Sequence, residues 1–359
     1  MEQAVTGIAM SPAQQGLWFA ERTGTAAAAY LVPAVVVVPE PMERAAIDAA
    51  WTTLVRRHPL LAARVVESGG EPRLIRAAGP AGEPLPVAHR TVGAAGLMAV
   101  LAEELAVTFD FTGADGAVGP LARCVALRVD DGRTVVMIVG HHLVLDASGR
   151  DLVGADLAAA LSGQDLGTGS LERIGELVRA QSDRIAEALP AARAFWSDRP
   201  APPAEVLMPG LAATPTVAEA ATHLDIRWNP QLDAAMTAGA AELGVTRFEI
   251  LLAGIHAVLA RYGNTLTSVA VDVTTRRPET AGELGMWVNE VPVTMSVDAK
   301  VSFSDLVRAV RAEARAAYAH REVPPARART GLPPRLALAP VSTSYLLLNL
   351  EDSGVDRLF

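Results

Sequence analysis

Cysteine is almost missing from this 359-residue chain: Cys124 stands alone. No disulfide can form within the chain, and a thiolate metal site is not expected. Its setting in the apolar run 121–129 makes it a small core residue. Aromatic residues are only 4% of the sequence while hydrophobic residues are 50%, so the core must be built mainly from aliphatic side chains. Basic runs are also missing and the formal net charge is -9, which excludes nucleic acid as the expected partner. No uncharged apolar run approaches the roughly 20 residues of a membrane-spanning helix. Residues 31–39 read instead as a buried strand, and no membrane association is expected. Met1-Glu2-Gln3 lacks the basic start and apolar stretch of a secretion signal, so a cytoplasmic location is expected. There is no Gly-x-Ser-x-Gly elbow, no phosphate-binding P-loop and no glycine-rich dinucleotide fingerprint. His58, His89, His223, His256 and His320 have no partners at metal-ligand spacing, so no metal is expected.

What the chain does contain is a recurring alternation of short apolar strands and amphipathic helices. Its length suits about two domains. A β-branched run over 31–38 predicts a strand, followed by a helix over 42–57 with Ile47, Ala50, Trp51, Leu54 and Val55 on one stripe. A strand is expected from Arg64 into the Gly69-Gly70 turn, and a helix over 97–107. Two strands over 121–129 and 134–139 are joined by Asp130-Asp131-Gly132, a hairpin signal. A helix over 152–161 closes at Ser162-Gly163, and the polar stretch 164–170 reads as a domain boundary. Helical patterns follow over 171–196, then a proline-rich connection, a strand near 223–226 and a helix over 230–243 ending at Gly244. Thr246-Arg247-Phe248-Glu249 is a capping box for a helix reaching Tyr262. A strand over 269–273, a helix over 303–320 and a strand over 342–349 complete the reading. The fold class is therefore α/β.

The segment richest in chemistry is Val139-Gly140-His141-His142-Leu143-Val144-Leu145-Asp146-Ala147-Ser148-Gly149. An imidazole at a strand end reaches a cleft and titrates near neutral pH, so it can hold or move a proton. Asp146, four residues beyond His142, can fix the turn or find a cation. The bland reading is a buried histidine pair capping a strand.

The segment resembles the HHxxxDG motif of the condensation domains of nonribosomal peptide synthetases, with Ala147 where the family has glycine. Other segments are similar to family motifs in the same order. Ser11-Pro12-Ala13-Gln14-Gln15-Gly16-Leu17-Trp18-Phe19 resembles SxAQxRLW, with Gly16 in place of arginine. Arg57-His58-Pro59-Leu60-Leu61-Ala62-Ala63-Arg64 resembles a loosened RHExLR. Arg276 matches an arginine on a strand-to-loop turn, Gly285-Met286-Trp287-Val288-Asn289 resembles GxFVN, and His320-Arg321-Glu322-Val323-Pro324-Pro325 resembles HQDVPFE.

The resemblance implies two chloramphenicol-acetyltransferase-like lobes forming a V-shaped pseudo-dimer with a central tunnel. Residues 1–165 are then the N-terminal lobe carrying the histidine motif, and 170–359 the C-terminal lobe, incomplete at its C-terminus against the family pattern. It implies an amide-forming acyltransferase in antibiotic and other secondary metabolism. The amine of an acceptor aminoacyl thioester attacks a donor acyl or peptidyl thioester, both delivered on the phosphopantetheine arms of peptidyl carrier proteins. Partners are then donor and acceptor carrier proteins and adjoining synthetase domains, with no bound cofactor. The expected catalytic set is His142, His141 and Asp146, with His142 handling the proton, His141 mostly structural, and Asp146 paired with Arg276 to hold the loop. Ala147, Ser148 and Gly149 support that loop, and Asn289 and Trp287 are candidates to line the tunnel, the alternatives being a loop-capping asparagine and a buried core tryptophan. If position 147 needs positive φ, alanine costs ~1 kcal/mol or more; if not, the change is harmless. Two alternatives stay open: an epimerization or coenzyme-A-dependent acyltransferase enzyme using the same histidine, and a degenerate domain that binds carriers or recruits enzymes without turnover.

Overall fold

The computed structural model describes residues 7–22, 29–76, 85–111, 119–209, 224, 226, 228–298, 300–329 and 339–345. The first unit contains the described residues up to Asp183 together with Arg276–Trp287. Its larger sheet has the order β2-β7-β6-β5, from β2 (Leu31–Val38), β5 (Val87–Val92), β6 (Ala122–Val129) and β7 (Thr134–His141). β7 pairs antiparallel with both β2 and β6, and β5 runs parallel to β6. The period-2 pattern sorts side chains to two faces. Val36, Cys124, Ala126, Val136 and Ile138 pack with Ile47, Trp51 and Leu54 of α2 (Arg44–Arg57) and Val153 and Leu157 of α4 (Ala147–Leu161). Val125, Leu127, Val135, Met137 and Val139 pack with Leu97 and Leu101 of α3 (Leu97–Ala106) on the other face. Both faces are covered, which is why β7 is one unbroken apolar run with every residue buried. Each buried aliphatic side chain contributes about 1.5–3 kcal/mol, so the strand that carries the histidines is held rigidly. A small sheet of β1 (Ile8–Ala9), β4 (Glu71–Arg76) and β3 (Ala63–Ser68) lies in the same unit, as does α1 (Pro12–Arg22).

The second unit contains Arg184–Thr275 and the described residues from Val288 onward. Its sheet has the order β10-β8-β9, from β8 (Leu266–Thr274), β9 (Val288–Ser296) and β10 (Ser342–Thr343). Val269, Val271 and Val293 pack under Leu252, Ala253 and Leu259 of α7 (Arg247–Arg261) and Leu306, Val307 and Val310 of α8 (Phe303–Tyr318). The expected capping box starts α7: the Glu249 amide donates to Thr246 Oγ1 (3.1 Å) and the Thr246 amide to Glu249 Oε2 (2.7 Å). α6 (Pro230–Leu243) ends at Gly244 in the left-handed conformation, φ +63°. Two further helices are α5 (Leu171–Ser197) and the short α9 (Pro325–Ala328).

Several elements differ from what the sequence leads one to expect. The division between units does not fall in 164–170 but inside α5, at Asp183, because that helix contributes Ile174, Leu177 and Val178 to one core and Ile185, Ala192 and Trp196 to another. Helix α4 begins at Ala147, not Leu152, because Asp146 caps it. β9 had no clear sequence signal, as polar Asn289 and Glu290 and the ladder-breaking Pro292 interrupt its apolar pattern. Near 223–226, Leu224 and Ile226 are irregular, and His223 and Asp225 lie outside the described residues. Of the strand expected over 342–349, only Ser342–Thr343 form β10; Ser344 and Tyr345 are irregular, and 346–349 lie outside the described residues. Among the described residues no single helix is long and apolar enough to cross a membrane.

Candidate active site

β7 ends at His141, and the next four residues turn back on the strand. The His141 amide donates to Leu121 O (2.8 Å) and the His142 amide to Tyr30 O (2.8 Å), so the neighbouring chain fixes the end of the ladder. The Val144 and Leu145 amides both return to His141 O, closing a tight turn. Gly140 makes room for it: a Cβ there would lie 2.9 Å from Leu145 Cδ2 and 3.3 Å from Leu145 Cβ. Asp146 then adopts extended backbone and becomes the N-cap of α4, its Oδ1 accepting from the Gly149 amide at 2.7 Å.

Asp146 is only 3% exposed and its carboxylate is fully engaged. Besides the cap, Oδ1 accepts from Arg276 Nη2 at 2.7 Å, and Oδ2 accepts from the Trp287 amide at 3.0 Å. Arg276 Nη1 in turn donates to Thr280 O (2.7 Å) and Glu283 O (2.9 Å), stapling its own loop. Leu145 and Gly285 form a parallel β-bridge beside this network. Gly285 is obligatory there: its φ is +147°, and a Cβ would meet Trp287 Nε1 at 2.6 Å. Arg276 to Trp287 thus wraps the aspartate, so the pairing expected between Asp146 and Arg276 is present. Arg57 from the RHP segment adds to the same loop, donating to Gly282 O at 2.9 Å.

His141 is 1% exposed. Its Nδ1 accepts the Leu143 amide at 3.1 Å, so Nε2 must carry the proton and donate to Glu21 Oε1 at 3.0 Å. Tyr30, Phe109 and Phe111 meet its ring edge to face, Phe111 at 4.8 Å between centroids. Burial pushes its pKa below the ordinary histidine value, against the upward pull of Glu21, and His142 next door lowers it further. His142 differs in kind. It is half-buried, and its Nδ1 is buried with no hydrogen bond among the described residues. Of His141, His142 and Asp146, only His142 has a side chain with no hydrogen bond among the described residues.

The remaining expected residues divide as follows. Ala147 is the first residue of α4, where φ is negative, so it carries no left-handed strain and its replacement of glycine is harmless to the backbone. Ser148 is exposed on the first turn. Gly149 is buried, and a Cβ would crowd Asp146 Oδ1 at 3.1 Å and Leu145 Cδ1 at 3.2 Å. Trp287, 2% exposed, packs in the core of its unit, and its indole N–H donates to Leu284 O at 3.3 Å. Asn289 in the second unit clamps backbone, donating to Arg321 O (2.9 Å) and accepting from the Glu290 amide (3.1 Å). Gly16 lies on the exposed side of α1 with nothing within 4 Å of a Cβ. His58 and His89 pair with Asp156 (2.6 Å) and Asp48 (2.8 Å), His256 with Thr267 Oγ1 (2.7 Å), and His320 stacks on Phe195 at 4.3 Å. Among the described residues no group of histidine, cysteine, aspartate or glutamate side chains is arranged to hold a metal ion. Sequence reasoning missed Glu21 and the gripping role of Gln14; their seven-residue spacing on α1 was the available signal.

The buried strand β7 of this α/β unit thus delivers His141 and His142 to a turn locked by an aspartate–arginine pair. The condensation domain family profile matches residues 5–328, and the chain belongs to that family. Phosphinothricin tripeptide synthetase PhsC of Streptomyces viridochromogenes is 27% identical over 344 residues, covering 88% of this chain and 30% of that protein. A probable non-canonical nonribosomal peptide synthetase, CymA of Salinispora arenicola, is 28% identical over 337 residues, covering 88% of this chain and 4% of that protein. The chain therefore spans less than a third of the length of either relative. The first condensation domain of the calcium-dependent antibiotic synthetase superposes with a TM-score of 0.72 at 19% identity, covering 94% of this chain and 79% of that one; this likeness shows the fold.

Proposed function

We propose that the chain is an amide-forming condensation domain of nonribosomal peptide biosynthesis, joining a donor acyl or peptidyl thioester to the amine of an acceptor aminoacyl thioester. Both substrates are delivered on phosphopantetheine arms of carrier proteins, which with adjoining synthetase domains are the partners. The observation that carries this reading is the division of labour in the motif: Asp146 and His141 spend every polar atom on the fold, and His142 spends none of its ring nitrogens on it among the described residues.

The amine nitrogen attacks the thioester carbonyl, the carbon–sulfur bond breaks and a thiol leaves. One proton must pass from the attacking nitrogen to the departing sulfur. Neutral His142 accepts it from the ammonium of the tetrahedral zwitterion and can return it to the thiolate, so collapse runs toward amide. Proton transfer of this kind supplies about 10²–10⁴-fold, and holding two tethered reactants together supplies more. A neutral His141 favours the step, because a cation beside His142 would oppose its protonation. Asp146 is a loop-holding group in this scheme and does not reach substrate.

Two of the departures that favour a degenerate domain are accommodated without strain, Ala147 inside a helix and Gly16 on an open face. The deciding experiment is a condensation assay with a panel of loaded donor and acceptor carrier proteins, read by intact-protein mass spectrometry, with His142→Ala beside the parent. Amide that falls sharply in the variant supports the reading. A folded parent that binds carriers and makes no amide sinks it and favours a recruitment domain.

A further inference from the structure

Two polar side chains on α1 point at the histidine turn from one helix face. Gln14 and Glu21 are seven residues apart, two turns, which brings them to the same side. Gln14 Nε2 donates to Leu143 O at 2.6 Å, and Glu21 Oε1 accepts from His141 Nε2 at 3.0 Å. Between them Leu17 and Trp18 are buried, and Trp18 meets Phe111 edge to face at 5.6 Å; Phe111 is the ring closest to His141. Arg22 adds a bond to Phe111 O at 3.3 Å. Gln14 is itself fixed, its Oε1 accepting the Ser11 amide at 2.7 Å.

We propose that α1 is a clamp on the histidine turn and that Glu21 is a positioning residue, selecting the His141 tautomer that shapes the turn presenting His142. The logic is a chain of single choices. A neutral imidazole has one N–H and one lone pair. Glu21, an acceptor only, calls for the N–H at Nε2. Nδ1 is then bare and accepts the Leu143 amide, and Gln14 holds the carbonyl of that same residue. The N–H and the C=O of Leu143 are both tied, the first to His141 Nδ1 and the second to Gln14 Nε2, so the residue after His142 is held on both sides. Without an acceptor at Nε2, the proton can move to Nδ1, where it faces the Leu143 N–H, donor against donor, and the turn opens. Outer partners that orient metal-ligating histidines are typically worth about 10–100-fold, and orientation of His141 by Glu21 is expected to act on the same order. This inference rests on the amide-forming reading for its effect on rate, but not for its effect on the tautomer.

The test reads both. Long-range proton–nitrogen correlation spectra of the full ¹⁵N-labelled chain, assigned against His141→Gln, report which ring nitrogen of His141 is protonated. The condensation assay reports kcat and KM. In the parent, the Nε2–H form is expected alone. Glu21→Gln keeps an acceptor oxygen and should retain that tautomer and near-parent kcat. Glu21→Leu should lose the single tautomer and drop kcat roughly 10–100-fold with little change in KM. If Glu21→Leu does not fold, Glu21→Asp, one methylene too short to reach, takes its place. A parent in the Nδ1–H form overturns the proposal, as does a Glu21→Leu chain with parent tautomer and parent kcat. A Glu21→Gln variant that keeps the tautomer yet loses activity overturns it too, since charge would then matter and orientation would not. Should the parent make no amide, the spectra still decide the clamp while the functional reading fails separately.

Discussion

Removing the Asp146 carboxylate should unfold the loop before it touches any chemistry. In the folded state Oδ1 and Oδ2 hold three donors: the Gly149 amide, Arg276 Nη2 and the Trp287 amide. The Arg276 side chain is 11% exposed and the Asp146 side chain 4%, so Asp146→Ala strands a cation nearly out of water. Breaking one side of such a buried pair costs about 3–5 kcal/mol, and losing the helix cap adds about 1 kcal/mol. For a domain of about 150–250 residues each kcal/mol shifts Tm by about 2–4 °C, which puts the expected fall at about 10–20 °C. Circular dichroism melting gives that number, and the condensation assay run well below the lowered Tm separates folding from rate. Arg276→Ala should cost a comparable amount, whereas Asp146→Ala/Arg276→Ala should cost clearly less than the sum, because no charge is left behind. An Asp146→Ala chain with unchanged Tm and collapsed kcat would refute the reasoning, since the carboxylate would then be acting on substrate.

Further outcomes follow from the same geometry. His142→Ala should lower kcat by about 10²–10⁴-fold with Tm nearly unchanged, measured by the carrier-protein assay and melting in parallel. Ala147→Gly, which restores the family residue, should bring no gain in activity and should destabilise α4 by up to about 1 kcal/mol in urea titration, because glycine is the poorer helix former. Two groups of the second unit, the buried His256 and the half-buried Glu290, should give opposite pH slopes. Burial lowers His256 from 6.5 to about 4, so the unfolded chain binds the extra proton in that window. Its contribution is intact above about 6.5 and is lost as pH falls toward 4, by up to about 3 kcal/mol; His256→Gln should flatten that part of a stability-versus-pH curve. Burial, and the charge of Asp272 paired opposite it in the sheet, raise Glu290 from 4.5 to about 7. Here the folded chain holds the extra proton, so stability falls as pH rises between those values. Glu290→Gln should therefore raise Tm more at pH 8 than at pH 5, and an equal gain at both would rule out the assignment.

Elements with a local cause were legible before any coordinates. The β-branched run of β2, the hairpin at Asp130-Asp131-Gly132, the cap of α7 and the glycine stop of α6 each depend on neighbours within a few residues, so the sequence carries their physics directly. β9 was not legible because Asn289, Glu290 and Pro292 break its pattern, and its place is fixed by pairing with β8 rather than by propensity. The start of α4 was read late because Ala147-Ser148-Gly149-Arg150-Asp151 has no apolar stripe, and only the cap marks it. Trp287 has two readings in the sequence, tunnel wall or core; its amide is bonded to the Asp146 carboxylate and its ring is buried in the core of its unit.

The candidate site shows the same split within a single motif. Spacing by itself does not separate His141, His142 and Asp146; it is the family resemblance that gives His142 the proton, His141 a mostly structural place and Asp146 a pairing with Arg276. What the sequence does not carry is the physical ground in partners 120 and 130 residues away, Glu21 for His141 and Arg276 for Asp146, each of which uses up one side chain. The remaining imidazole has its backbone amide pinned by Tyr30 O, so its position is fixed, while its ring is left without a bond among the described residues. A proton acceptor needs that combination: a fixed origin, so that it meets the reacting nitrogen, and a free lone pair, so that accepting the proton breaks nothing in the fold. The cost of preorganising His142 is thus carried by Asp146, His141 and their distant partners. Mutations at those positions should register in stability and tautomer, and those at His142 in rate.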